Sequence, residues 1–229
     1  FVRLDATYFR EEPVADPVTA WRAGLSLPEV HTGYAVERFP SPESECGSAS
    51  AFPADDATGT GDGRDQMSTM AAALFADLAE GTGRLVVGPP GSGKSTVCKR
   101  VACEWYDADR GPVLYREQGR GRPFESVEDL VATVEAADGH ALVVVEDAVR
   151  SEANAVFEAA ERLGDRADVS FLFDARGTEW RDPPPDLGPV ADLEVATMPG
   201  LDDRDFERLV EHFERTVGEP VDVPVDRLR

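Results

Sequence analysis

From Met67 onward the chain repeats one pattern: a short run that is apolar throughout, then a longer stretch with apolar residues at helical spacing. Met67, Met70, Leu74 and Leu78 mark a first helix, which Gly81 and Gly83 end before an apolar strand at Leu85 to Val87. A helix is expected from Ser95 to about Tyr106, a strand from Val113 to Arg116, and a helix from Ser126, whose hydroxyl can cap it, through Val127, Leu130, Val131 and Val134. The strand Ala141 to Val145 follows. A helix with Ala153, Val156, Phe157, Ala160 and Leu163 on one face then leads to the strand Val169 to Phe173. After the Pro-rich loop Pro183 to Pro189 come a fifth strand near Leu193 to Ala196 and a helix from Asp202, with Phe206, Leu209, Val210, Phe213 and Val217 turned inward. Strands without polar alternation, each followed by a helix, imply an α/β fold: a three-layer α-β-α sandwich around a parallel five-stranded sheet.

The organisation expected from these shifts has four parts. Residues 1–40 form a small N-terminal module, in which Tyr8, Phe9, Trp21, Tyr34 and Phe39 lie among prolines without a clear period. Residues 41–65, rich in Ser, Gly, Ala, Pro and Asp, read as a linker or surface loop. Residues 66–217 are the main domain, and 218–229 begin a linker to a C-terminal region beyond this chain. A start at Phe1 rather than Met fits an excised piece of a longer protein.

Between the first strand and its helix lies GPPGSGKST: Gly88, Pro89, Pro90, Gly91, Ser92, Gly93, Lys94, Ser95 and Thr96. Glycines there let backbone N–H groups turn inward around phosphates, and the helix that follows adds its positive end. Lys94 is placed to neutralise β- and γ-phosphates, and the Ser95 hydroxyl to ligate Mg²⁺. The strand-loop-helix context is the one this phosphate-binding motif requires. Lys94 and Lys99 are the only lysines in a chain that otherwise uses arginine, and a compact ammonium suits a phosphate cradle better than a planar guanidinium. Lys99 itself reads as part of a solvated helix face.

A second element is ALVVVEDA at Ala141 to Ala148, a buried strand ending in two acids. One carboxylate can hold Mg²⁺ through water and the next can polarise the attacking water, so by position Glu146 takes the metal role and Asp147 the base role. The order is the reverse of the commoner Asp then Glu; the bland alternative is that both acids cap the next helix. The third element is FLFDARGTEW at Phe171 to Trp180, where Arg176, just past a buried strand, can reach a γ-phosphate if that strand lies beside the phosphate-loop strand.

Composition narrows the partners. Forty-five acidic against 23 basic residues give a formal net charge of −22, which repels nucleic-acid phosphate and anionic lipid. Direct nucleic-acid binding is therefore not expected, and Arg116, Arg120 and Arg122 read as partners for nearby acids. The acid-rich, lysine-poor surface, with Asn154 the one asparagine and no isoleucine, fits a salt-adapted or GC-rich host. No apolar run has the length of a membrane span and no signal pattern opens the chain, so a soluble cytoplasmic protein is expected. Cys46, Cys98 and Cys103, and His31, His140 and His212, form neither a disulfide framework nor a zinc site.

Together, GPPGSGKST, VVVED and a strand running into Asp174, Ala175 and Arg176 resemble the STAND class of P-loop ATPases, relatives of AAA+ proteins that act as signalling switches. The resemblance covers about residues 63–217 and implies slow, Mg²⁺-dependent ATP hydrolysis, ATP and ADP as ligands, and self-association or effector domains in the full-length protein. It also implies that the fourth strand is inserted between the phosphate-loop and acid-bearing strands, the order 5-1-4-3-2, with Asp174, Ala175 and Arg176 similar to a Thr-Ser-Arg triplet. Gly63, Arg64 and Asp65 are similar to a Gly-Arg-Glu signature near the adenine, and MPGLDDRDFERLVEHF at Met198 to Phe213 to the helix entry after the core. Right-handed crossovers agree with that order, which leaves room for a water and the γ-phosphate between the two strand ends.

Three rivals share the loop. A GTPase would need a lysine in its guanine-selecting motif after the phosphate-loop helix, and none follows Lys99. A small-molecule or nucleotide kinase would use Gly119 to Pro123 as an arginine-rich lid. A nucleotide-binding scaffold with little turnover would tolerate the departures at Glu146, Asp147 and Asp174.

Overall fold

The computed structural model describes residues 1–39, 69–81, 83–118, 126–151, 153–164, 166–181 and 193–220. The expected linker at 41–65, Gly63 to Asp65, Met67, the Gly119 to Pro123 lid, the loop Pro183 to Pro189, Cys46 and the stretch after 220 lie outside them.

The apolar runs form the strands they imply. The chain runs β1 (Val2–Leu4), α1 (Ala6–Glu11), α2 (Pro17–Ala23), α3 (Leu27–His31), α4 (Met70–Leu78), β2 (Gly83–Gly88), α5 (Lys94–Asp107) and β3 (Val113–Arg116). It continues through α6 (Val127–Glu135), β4 (Ala141–Val145), α7 (Val156–Leu163), β5 (Val169–Arg176), α8 (Gly177–Arg181), β6 (Glu194–Thr197) and α9 (Asp203–Val217). Caps fall where short polar side chains precede apolar periodicity: Ser126 accepts from Asp129 N at α6, and Asp202 from Asp205 N at α9.

These strands form one sheet in the order β1-β3-β4-β5-β2-β6. That corrects the expected five-stranded, wholly parallel sheet: β1 adds a sixth strand, antiparallel to β3 through Val2↔Tyr115 and Leu4↔Val113, so the sheet is mixed and its full order differs from the one expected. The fourth of the expected strands, β5, does lie between β2 and β4, parallel to both. It also runs three residues longer than its apolar stretch, because Asp174, Ala175 and Arg176 pair with Val86, Val87 and Gly88. Arg176 thus ends the strand rather than following it.

Side chains alternate across the pleat into two cores. Val86, Leu142, Val144 and Leu172 face α4 and α5, with Val97, Val101, Trp105, Met70 and Leu74; Leu85, Val143, Val145, Phe171 and Phe173 face α6 and α7. Residues 1–39 contribute to the first core through Leu4, Leu27, Val30 and Ala35, and α3 packs on α5. Buried Arg38 ties this segment to the rest: its carbonyl accepts from Met70 N, and its guanidinium donates to Pro199 O (3.1 Å) and pairs with Asp205. On α9 the five apolar residues expected inward are half-buried rather than buried, with Phe213 edge-on to Trp21 at 5.5 Å. Among the described residues no helix is long and apolar enough to cross a membrane.

Candidate functional site

The carboxyl ends of β2, β4 and β5 bring three sequence elements to one edge. Leaving β2, the chain turns through Gly88 to Gly93. Gly91 and Gly93 hold positive φ values of 75° and 90°, and Gly93 is the N-cap of α5. A Cβ at Gly88 would sit 2.5 Å from the Met198 carbonyl oxygen, so only glycine lets β6 approach the loop this closely; Met198 N donates to Val87 O at 2.7 Å. The loop thereby opens over the start of an α-helix, where unpaired N–H groups favour an anion. Lys94 is buried at the loop's base and its Nζ donates to Pro89 O at 2.9 Å, spanning the space around which the loop curls. Ser92 Oγ is buried there without a hydrogen bond among the described residues.

The hydroxyl of Ser95 donates to Asp174 Oδ2 at 2.7 Å. Asp174 is fully buried, and its other oxygen accepts the backbone N–H of Asp147 at 2.7 Å while its carbonyl accepts from Ala148 N at 3.0 Å. Burial pushes the Asp174 carboxyl up to about 6, against the lowering effect of the Asp147 N–H and the Ser95 hydroxyl. Asp174 therefore clamps the turn after β4 to the phosphate-loop helix. The triplet resemblance points to the arginine two places on and not to this acid, whose signal in the sequence is an acid at the end of an otherwise apolar strand.

The two acids after β4 separate. Asp147 adopts φ +46°, a left-handed conformation that is uncommon outside glycine and concentrates at functional sites. Its Oδ2 is buried without a hydrogen bond among the described residues, with Arg150 Nε 3.3 Å away. Burial raises its pKa; Arg150 opposes that rise, Glu179 adds to it, and Arg176 and Lys94 also oppose it. Glu146 turns toward β3 and α5. Its Oε1 accepts from Tyr115 Oη at 2.7 Å and lies 3.2 Å from Lys99 Nζ, and its Oε2 accepts from Gln118 N at 2.9 Å.

Lys99 is the partner the sequence hid. The solvated helix face expected for it is corrected: Lys99 is buried, donates to Leu25 O at 2.8 Å, and meets Glu117 at 3.1 Å as well as Glu146. Burial alone would lower its pKa, yet the two carboxylates hold it above the ordinary value. Part of what buries Lys99 comes from Leu25, in the segment 1–39, a cover that is invisible to local periodicity.

Arg176 stands opposite Gly88 in the β5–β2 register, half-exposed, 3.9 Å from Glu179. Arg150, which sequence reasoning did not select, joins Asp147 to Glu179 at 3.7 Å. Thus Lys94, Ser95, Asp147 and Arg176 gather at one edge with Asp174, whereas Glu146 is engaged toward β3.

The donor set suits a hard divalent cation: a hydroxyl oxygen, Ser95, backed by the buried carboxylate of Asp174. Among the described residues no three or more His, Cys, Asp or Glu side chains form a metal cage. A magnesium ion that shares its shell among a hydroxyl, phosphate oxygens and water needs none. Beside the loop, a depression along Val36, Arg38, Thr69, Ala71, Thr96 and Val97 adjoins a cavity of about 340 Å³ between residues 33–39, Arg100 and α9.

Residues 62–187, more than half of the chain, match the family described as Novel STAND NTPase 5. No match was found among curated proteins. Solved structures that resemble the chain include PCH-2 of C. elegans (18% identity, TM-score 0.42, covering 58% of this chain and 42% of that one). AMPPCP-bound DnaA from Aquifex aeolicus is 13% identical with a TM-score of 0.49, covering 69% and 55% of the two chains. A DNA replication initiation factor is 13% identical with a TM-score of 0.46, covering 66% and 51%. The chain thus spans about half the length of the solved structures it matches.

Proposed function

Because the chain belongs to the Novel STAND NTPase 5 family of P-loop NTPases, we propose that it binds ATP with Mg²⁺ and hydrolyses it slowly, as the nucleotide switch of a cytoplasmic signalling or defence protein. One observation carries this reading: a glycine-rich loop caps α5 with Lys94 and Ser95 in its first turn, with Arg176 opposite Gly88 at the end of the neighbouring β5 and Asp174 of that strand accepting from the Ser95 hydroxyl. Backbone N–H groups of Gly91 to Lys94 and the Lys94 ammonium bind the β- and γ-phosphates. Ser95 offers its oxygen to Mg²⁺, which when bound neutralises phosphate charge. Asp147 orients the attacking water and accepts its proton, and Arg176 meets the charge that develops on the γ-phosphate. The nucleoside half lies along the depression beside Val36 and Val97, where the adjoining 340 Å³ is within the range of ligand pockets.

Slow turnover is supported by the state of Asp147: with Arg150 at 3.3 Å its carboxylate is held by a cation, and it must exchange that partner for water before acting as a base. The kinase alternative rests on a lid outside the described residues. The test is Lys94→Ala, measured by calorimetry with ATP and Mg²⁺ and by far-UV circular dichroism. The loop keeps its N–H groups but loses the buried cation, so affinity should fall by at least about tenfold with the fold retained. Unchanged affinity would remove the phosphate assignment. Phosphate transfer to an added small-molecule acceptor, rather than release as inorganic phosphate, would favour the kinase.

A further inference from the structure

We propose that Asp174, rather than Glu146, is the carboxylate that orients the Ser95 hydroxyl for the nucleotide's divalent cation. This rests on the ATPase reading and deepens it. A serine hydroxyl carries one proton and two lone pairs, so it presents a lone pair to a cation only when its proton is directed elsewhere. Asp174 Oδ2 takes that proton at 2.7 Å. The acceptor is itself fixed, because Oδ1 is held by Asp147 N and the Asp174 carbonyl by Ala148 N. Asp174 lies on β5, which pairs directly with the phosphate-loop strand, with Asp174 opposite Val86 and two residues short of Gly88.

Glu146 lies on the α5 side too, but its oxygens are taken: they are engaged by Tyr115, Lys99 and Gln118. Releasing one toward the phosphate loop would leave the Lys99 ammonium, 7% exposed, beside Glu117 and a backbone carbonyl alone. Removing one partner from such a buried cluster is strongly unfavourable. The residue that completes the cation's surroundings is thus supplied by the inserted strand, and Glu146 ties β4 to α5 and β3.

The experiment measures binding of a non-hydrolysable ATP analogue by calorimetry, in EDTA and in MgCl₂, and takes the ratio of the two dissociation constants as the cation's contribution. Thermal melting checks each variant's fold. Asp174→Asn is isosteric and keeps an acceptor for Asp147 N, but its amide no longer has to accept the Ser95 proton. It should lose most of the cation's contribution, about tenfold or more, while affinity in EDTA changes little. Glu146→Gln should keep the wild-type ratio. Asp174→Asn with a wild-type ratio, or Glu146→Gln losing as much as Asp174→Asn, overturns the inference. If Asp174→Asn does not fold, Glu146→Gln decides alone: a retained ratio supports the inference and a collapsed one refutes it. Wild-type protein that binds no nucleotide in either buffer refutes the ATPase reading itself, a result distinct from wild-type binding with an insensitive Asp174→Asn.

Discussion

Replacing Lys99 by methionine tests whether the buried charge cluster behind β4 is structural. Methionine keeps the unbranched stem of the side chain and removes the ammonium, so packing around the stem is largely conserved. The ammonium meets Glu146, whose side chain is 4% exposed, Glu117 at 21%, and the Leu25 carbonyl. Glu117 is partly hydrated and can turn to water, so its loss counts little. Glu146 cannot, although it retains Tyr115 and the Gln118 N–H. Breaking a buried pair by deleting one partner costs about 3–5 kcal/mol. The two retained hydrogen bonds place the expected value at the lower end, about 3 kcal/mol, with about 1 kcal/mol more for the stranded carbonyl. A lysine on an exposed helix face would cost within about 0.5 kcal/mol.

Urea denaturation of wild type and Lys99→Met at neutral pH reads the difference as a shift in midpoint at constant slope. The double variant Lys99→Met with Glu146→Gln should cost less than the sum of the two single changes, since the uncompensated charge is gone. The sign with pH follows from the Lys99 pKa, which stands above its ordinary 10.5 in the folded protein. Its stabilising contribution is complete below that value and is lost as pH rises through the folded pKa, so the gap between wild type and variant stays constant from neutral pH to about 10. A loss below about 1 kcal/mol, or strict additivity in the double variant, would show that the cluster contributes nothing specific.

Three further outcomes follow from the same geometry. Asp147→Asn should lower single-turnover hydrolysis by about a hundredfold while nucleotide affinity changes by less than about threefold, because a base acts in the transition state; equal losses in both would reassign Asp147 to binding. Arg150→Gln removes the group that most opposes the rise in the Asp147 pKa, and only ionised Asp147 can accept a proton, so the acid limb of the rate profile should move to higher pH; an unmoved limb would separate Asp147 from the proton transfer. With a net charge of −22, raising NaCl from about 0.1 to 1 M shortens the screening length from about 10 to 3 Å and should raise the melting temperature; a fall would mean that specific ion pairs outweigh the general repulsion.

What could be read in advance was whatever depends on local pattern. The glycine-rich loop and the helix after it are contiguous in the chain, so Gly88 to Thr96 lie between β2 and the first turn of α5 as the pattern implies. β3 and β4 have the bounds that their apolar runs imply. Tertiary choices were hidden. β1 is three residues long with two exposed, and it becomes a strand only because β3 offers an edge to pair with. Lys99 is sealed by the Leu25 carbonyl, 74 residues earlier in the chain, a contact that no helical period can announce.

The acid pair shows how period and topology divide that labour. Along β4, alternation places Leu142 and Val144 on the α5 face and carries Glu146 to the same side, which is the side of the phosphate-loop helix. Along β5, Leu172 faces that side too, and the extension of the strand carries Asp174 onto it. Period alone therefore nominates both acids equally, and a reading by motif prefers the one after the purer apolar run. Neighbourhood in the sheet breaks the tie: β5 pairs with β2 and β4 does not, and Ser95, in the first turn of α5, meets the carboxylate on β5. Once that position is filled, Glu146 is left facing β3 and α5, where Tyr115 and Lys99 give its charge the partners that burial demands. The two acids after β4 thus part company: the first answers to Lys99 of α5 and Tyr115 of β3, and the second turns away through a left-handed backbone toward Arg150.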